Sequence, residues 1–316
     1  MTEMTRAVGV MEFGGPEKLQ VVEVPVGHAG PGQVRVRVHA AAVNPTDTFI
    51  PTGTRVRPSE QPRFPYVPGM DVAGVIDEVG DGVDTGVQVG DRVMGIVVPD
   101  HDHGGYRQSI VLPAASVTHA PRGSSHPEAA SLPMNGLTAR RALDLMSLGA
   151  GDVLAVTGAA GAFGGYVVQL AKADGLTVIA DASEADEQLV RELGADIVVR
   201  RGDDVAERFR EHFPEGIDGL ADGALLHEKV LPALKDDGKV VTVRFWKGNG
   251  ERELEFFPVL VRDYAENHAA LDTLRQQAED GVLSLRVAQT FPAAQATEAQ
   301  QLLGRGGVRG RIILEF

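Results

Sequence analysis

Hydrophobic and polar residues alternate with period two through QVRVRVHAAAV, residues 33–43, which puts Val34, Val36 and Val38 on one face of a strand. Residues 71–79, 92–98 and 106–112 read as further strands. Turns such as EVGDG, at 78–82, and PGQ, at 31–33, separate these segments. Helical periodicity is almost missing from this part of the chain, so a barrel-like domain of short strands is expected.

The pattern changes at Glu128. Residues 128–146 suggest helical turns, and strands then alternate with helices. Strands are expected at 153–158, 177–181, 197–199, 217–221 and 239–245, with helices at 166–173, 184–193, 203–212 and 227–234. Apolar strands separated by amphipathic helices imply a parallel sheet with helices on its faces. The tail adds a helix at 269–279, an Ala- and Gln-rich surface helix at 293–301 and a last strand at 310–315. The fold class is therefore α/β, a doubly wound parallel sheet beside a β-rich domain.

The most informative stretch is VLAVTGAAGAFGGYVVQLAKADGLTVIAD, which ends at Asp181. A strand runs into a tight turn, Ala159-Ala160-Gly161-Ala162-Phe163-Gly164, and then into a helix. This is an A-x-G-x-x-G form of the dinucleotide fingerprint. Gly161 lets backbone approach a pyrophosphate, Gly164 lets the helix pack on the strand, and the helix N-terminus faces the anion. Asp181 closes the next strand 20 residues after Gly161, where an acidic side chain binds the adenosine ribose. Asp181 repels a 2′-phosphate and favours NAD; Arg200 and Arg201, past the third strand, favour NADP. The residues leave both open.

Composition narrows the function classes. The chain has 316 residues, enough for two domains, and its 38 glycines are consistent with many tight turns. A net charge of −14 without any basic stripe disfavours nucleic acid as a partner. Cysteine is absent, which removes disulfides, thiolate-held zinc, iron–sulfur clusters and a cysteine nucleophile. No apolar run approaches the roughly 18 residues of a membrane span, and no secretory leader is visible, so a cytoplasmic protein is expected. The His101-Asp102-His103 run has no evident third metal ligand and is expected to be solvated.

Six segments appear in a familiar order: AAAVNPTDTFIPTG (40–53), PYVPGMDVAGVIDEVGDGV (65–83), VGDRVMG (89–95), GGYRQS (104–109), the glycine turn, and GVRGRIILEF (307–316). Together they resemble the medium-chain dehydrogenase/reductase superfamily and, within it, the zinc-free quinone oxidoreductases related to zeta-crystallin. The resemblance implies a β-rich GroES-like catalytic domain from residues 1–122 and 256–316, and a Rossmann dinucleotide-binding domain from 123–255. It also implies a homodimer, for which residues 250–257 offer an edge. Zinc-dependent members hold the metal with a Cys and a His where this chain has Asn44 and Met70, neither suited to zinc. The family's first-segment tyrosine is Phe49 here, its basic phosphate-binding residue is Asp186, and its tyrosine after the third strand is Arg201.

Reduction of a simple ketone develops alkoxide charge that usually needs a metal or a strong acid. A quinone or conjugated carbonyl delocalises that charge, so a few hydrogen bonds and a water suffice. The expected activity is therefore zinc-independent, NAD(P)H-dependent transfer of hydride to a small conjugated acceptor, with a slight lean to NADP(H) on family grounds. Asn44 is the candidate polar group beside the nicotinamide, on the ribose or the acceptor oxygen. Thr138, after NGLT, is placed near the cofactor by resemblance, as are Ser183, Val243 and Arg311. Phe49, Tyr66, Asn135 and Arg262 are candidates for the substrate pocket. Asp47 reads as a buried hydrogen-bond acceptor rather than a base. An enoyl-thioester reductase and a non-catalytic dinucleotide-binding or sensing protein are the alternatives.

Overall fold

The computed structural model describes residues 3–54, 61–248, 250 and 252–316. The chain divides into two compact units, one of residues 1–134, 265–279 and 285–316, the other of 135–264 and 280–284.

In chain order, the first unit begins with β1 (Met4–Gly9), β2 (Gln20–Pro25), β3 (Gln33–Val43), β4 (Asp71–Val79), β5 (Arg92–Ile96), β6 (Ser109–Pro113), β7 (Val117–His119) and α1 (His126–Ala130). Helix α2 (Pro133–Met146) follows. The second unit then contributes β8 (Val153–Thr157), α3 (Ala162–Ala173), β9 (Thr177–Ala182), α4 (Glu187–Glu192), β10 (Ile197–Arg200), α5 (Val205–His212), β11 (Ile217–Asp222), β12 (Leu234–Thr242) and β13 (Glu255–Pro258). The chain returns to the first unit with α6 (His268–Glu279), β14 (Val287–Pro292), α7 (Ala296–Arg305) and β15 (Arg311–Glu315).

β1 and β2 form an antiparallel ribbon, and the larger sheet of the first unit runs β14-β15-β3-β4-β5-β7, with β6 also on β3. The alternation in 33–43 does what its period demands: Val34, Val36 and Val38 are buried with Val72, Ile76, Val93, Ile110 and Leu112. β15 pairs antiparallel with β3, Ile312 opposite Val43, which carries Arg311 alongside Asn44. The ribbon, β7 and the half-exposed β14 lacked a sequence signal strong enough to mark them.

The second unit holds a parallel sheet in the order β10-β9-β8-β11-β12-β13. Strand order reverses between β8 and β11, the place where open α/β sheets take ligands at their carboxyl ends. Three expectations change here. Residues 227–234 form two short 3₁₀ turns rather than a helix, since Pro232 offers no N–H. The strand expected to 245 ends at Thr242, because Arg244 and Phe245 have φ of 63° and 68°. A sixth strand, β13, extends the sheet at its edge.

Helix α3 starts at Ala162, four residues before its expected start, so Ala162, Phe163 and Gly164 belong to its first turn. A Cβ on Gly164 would lie 2.4 Å from the Gly158 carbonyl oxygen and 2.8 Å from its carbon. At Gly161 the nearest atom to such a Cβ is the Gly158 oxygen, at 3.1 Å. Gly164→Ala is expected to destabilise the protein by about 1–3 kcal/mol through backbone overpacking, and Gly161→Ala by less than about 1 kcal/mol. Urea unfolding of the two variants checks this, and equal losses would contradict it.

Candidate active site

In the second unit the site is built on the carboxyl ends of β8 and β11. β8 ends in Thr157, whose hydroxyl donates to Asp222 Oδ1 at 2.6 Å on the neighbouring β11. Gly158 then takes φ of 66°, a left-handed turn that suits glycine. The N-cap of the 12-residue helix α3 is Gly161, which has no side chain of its own to cap it. Amides of a first helical turn have no partner within the helix and favour an anion. Ala159 and Ala160 are buried in the turn, and the ring of Phe163 packs against Gly223.

Asp181 is almost fully buried, and its Oδ1 accepts the Gly158 N–H at 2.7 Å. The carboxylate thus braces the glycine turn. Burial pushes its pKa above the ordinary aspartate value, opposed by the turn amides and by the nearby charge of Arg201. Asp222 plays the same part for the loop after β11, accepting from the N–H groups of Leu226 at 3.0 Å and His227 at 2.8 Å. Leu225 and His227 both have positive φ, so this loop is held in a costly backbone conformation.

Further along the same edge, Ser183 is half-buried and donates to the carboxylate of buried Asp186. Arg200 pairs with Glu184 at 3.1 Å. Arg201 is exposed, and Val243 is half-buried just past β12. Asn135 and Thr138, both buried, lie in α2, so NGLT is part of a helix rather than a turn.

The first unit gathers a second set of polar side chains, on the segments joined by β3, β4 and β15. Asn44 and Asp71 are 0% exposed. The Asn44 amide donates to Asp71 Oδ2 at 2.8 Å and to the Ala42 carbonyl at 3.3 Å. Arg311 Nη2 donates to Asn44 Oδ1 at 2.6 Å and to Asp71 Oδ2 at 2.9 Å. Asp71 Oδ1 accepts the Met134 N–H, at 2.6 Å, at the start of α2. Burial raises the Asp71 pKa, and Arg311 is the largest opposing influence.

Asp47 lies beside this set and is the buried acceptor the sequence suggested. It takes hydrogen bonds from the Asn44 N–H at 2.9 Å, the Gly69 N–H at 3.3 Å and the Tyr106 hydroxyl at 3.0 Å. Burial still pushes its pKa up to about 6, with the charge of Asp71 adding to the effect. Sequence reasoning missed Asp71 and Tyr106. Their residue types in apolar, glycine-flanked segments were the available signal, since an acid and a phenol there must find partners.

Among the other candidates, Tyr66 is packed in an aromatic group with Phe13, Phe64 and His101 and is only 6% exposed. Phe49 is half-buried in the 3₁₀ turn Pro45–Phe49, and Arg262 is exposed in the turn Val261–Tyr264. Met70 accepts a contact from the Thr46 hydroxyl at 3.2 Å. The His101–His103 run is half-buried rather than solvated, and burial lowers the His103 pKa. Among the described residues, no three His, Asp or Glu side chains converge as a metal site, and no helix is long and apolar enough to cross a membrane.

Comparison with known proteins was made against this geometry. The alcohol dehydrogenase GroES-like domain matches residues 30–122, and the zinc-binding dehydrogenase domain matches 193–314. A quinone oxidoreductase of Rattus norvegicus is 41% identical over 61% of this chain, a match that spans 57% of the rat protein. A quinone oxidoreductase of Pongo abelii is 31% identical over 99% of this chain and 98% of its own length. A 2-haloacrylate reductase of a Burkholderia species is 31% identical over 98% and 99%. Among solved structures, an NAD-dependent alcohol dehydrogenase superposes with a TM-score of 0.86 at 30% identity, covering 98% of this chain and 99% of that one. A mycobacterial protein in complex with NADPH gives 0.84 at 26% identity, covering 99% and 100%.

The upward shift of Asp47 has a definite sign. Its folded pKa, about 6, exceeds the ordinary 3.8, so the stability it contributes is complete below 3.8 and is lost as pH rises through about 6. Wild-type stability relative to Asp47→Asn is therefore expected to fall by about 1–2 kcal/mol between pH 5 and 7.5. Urea unfolding at both pH values measures the difference, and a gap independent of pH contradicts it.

Proposed function

This chain belongs to the quinone oxidoreductase group of the medium-chain dehydrogenase/reductase superfamily, and on that premise we propose that it is an NAD(P)H-dependent, zinc-independent reductase of quinones or other conjugated carbonyl compounds. The observation that carries this reading is the braced glycine turn. The 12-residue helix α3 begins after the N-cap Gly161, and Asp181 holds the turn behind it. Those features suit a pyrophosphate.

When bound, the nicotinamide supplies a hydride. In this reading the protein holds the dinucleotide at residues 158–164. Asn44 is fully buried, spends both amide hydrogens on Asp71 and Ala42 and accepts from Arg311 at Oδ1, so it braces its own segment. The acceptor's own conjugation then carries the charge, and water provides the proton where Phe49 has no hydroxyl to offer.

The donor set supports zinc independence, since Asn44 is committed to its neighbours and Met70 offers only a thioether. The Burkholderia relative's name, a 2-haloacrylate reductase, also points to a conjugated acceptor. The preference for NADPH rests on Arg201, exposed at the end of β10 and, among the described residues, without a hydrogen-bonded side-chain partner. The nearby Asp181 carboxylate is buried and accepts from Gly158, and the Asp186 carboxylate is buried and accepts from Ser183. A free guanidinium is the better match to a 2′-phosphate. The same reading makes the protein a cytoplasmic homodimer, with β13 at the open edge of its sheet as the joining strand.

NADPH and NADH oxidation should be compared with a naphthoquinone and an α,β-unsaturated ketone as acceptors, with a chelator present. Turnover is expected to survive the chelator and to be more efficient with NADPH. Arg201→Ala is expected to cut that preference by about tenfold, the worth of a charge-assisted hydrogen bond. Dinucleotide binding without turnover of any acceptor would favour a non-catalytic binder, and turnover abolished by the chelator would contradict zinc independence.

A further inference from the structure

We infer that the stacked imidazoles of His39 and His126, set against Arg92, form an acid-sensitive joint that seats α1 on the sheet of the first unit and loosens when a ring takes up a proton. His39 lies on β3 and His126 is the first residue of α1. Their rings stack with centroids 4.6 Å apart and planes 11° from parallel. Neutral aromatic rings attract one another when stacked. Two imidazolium ions at that separation repel, and both rings are half-buried, where water screens less well. The joint matters because α1 has five residues, too few to hold a helix by its own hydrogen bonds. It is seated by burial of Ala129 and Ala130 and by this ring contact, and it runs on to Met134, whose N–H is held by Asp71.

The charges acting on the pair are positive. Arg37 stands two residues before His39, on the same face of β3, and Arg92 at the start of β5 acts on both rings. Arg92 is tied in place, since its guanidinium donates to the Ser124 carbonyl at 2.6 Å, just before α1. The acids on the elements packed against α1 are committed elsewhere. Asp77 and Glu78 of β4 pair with Arg35, Asp71 pairs with Arg311 of β15, and Glu128 of α1 accepts from Ser125. Asp91, next to β5, pairs with His119 at 3.1 Å, and Glu315 of β15 is exposed. His126 Nδ1 is buried and, among the described residues, has no hydrogen-bond partner, so a proton there finds no acceptor. Burial first, and then these neighbours, push both rings below the ordinary 6.5, His126 to about 4. The stability held in the joint is therefore complete above 6.5 and is lost as pH falls towards 4, the opposite sense to Asp47.

Amide hydrogen exchange of residues 126–134 tests the joint on the full chain, measured at pH 7.5 and pH 5 for wild type and His126→Gln and corrected for the intrinsic exchange rate. Opening of this segment in wild type is expected to rise by about tenfold or more at the lower pH, with a much smaller rise in His126→Gln. Equal rises in the two proteins, or none in wild type, would overturn the joint. Ring C–H resonances followed by NMR give a second readout that needs no change in stability. His126 is expected to titrate near 4 in wild type and at higher pH in His39→Gln and in Arg92→Gln, each of which removes one of the neighbouring charges. A His126 midpoint near the ordinary 6.5 in wild type, or one that neither substitution moves, would overturn the inference even where His126→Gln does not fold.

Discussion

Carboxylates taken out of water organise the candidate sites of both units. Asp47, Asp71, Asp181 and Asp222 are each almost wholly buried, and each accepts at least one backbone N–H from a turn at the end of a strand or the start of a helix. A buried charge is tolerable only when its lone pairs are filled, and a turn is well defined only when its amides are. Each need satisfies the other. The result is a set of loops whose conformations are fixed by single acidic side chains rather than by apolar packing.

That arrangement connects the chain's acidity to its chemistry. In the second unit, Asp181 draws the Gly158 amide inward, just before the Gly161 N-cap of α3. In the first, Asp71 and Arg311 hold Asn44 with its amide hydrogens spent. The second unit thereby holds its glycine turn in the form suited to a phosphate.

Much of this was legible in the chain. The β3 and β4 boundaries follow from alternation and flanking turns, and the strands and glycine turn of the parallel sheet follow from apolar runs broken by glycine. Local conformation was harder to see. Pro232 splits an apparent helix, and Arg244 and Phe245 end a strand by adopting left-handed angles that nothing in their side chains announces. The polar network was the least visible part. Asp71 sits in GMDVAG, where a strand start and a buried charge look alike, and its partner Arg311 is 240 residues away. Only the pairing of β15 with β3 brings them together. Asn44 was singled out from its motif, but the direction of its hydrogen bonds came from its neighbours in space.

The account stands most directly on the glycine turn, and one titration tests it. NADPH is added to the wild-type chain and to Gly161→Asp, with the unfolding temperature of each recorded. Among the described residues, a Cβ at Gly161 has just the Gly158 oxygen nearby, at 3.1 Å, so the variant is expected to fold. Its carboxylate stands where the pyrophosphate would lie, so saturable binding by wild type and none by a variant of equal stability is the expected result. Equal binding by both would place the dinucleotide elsewhere and contradict the account.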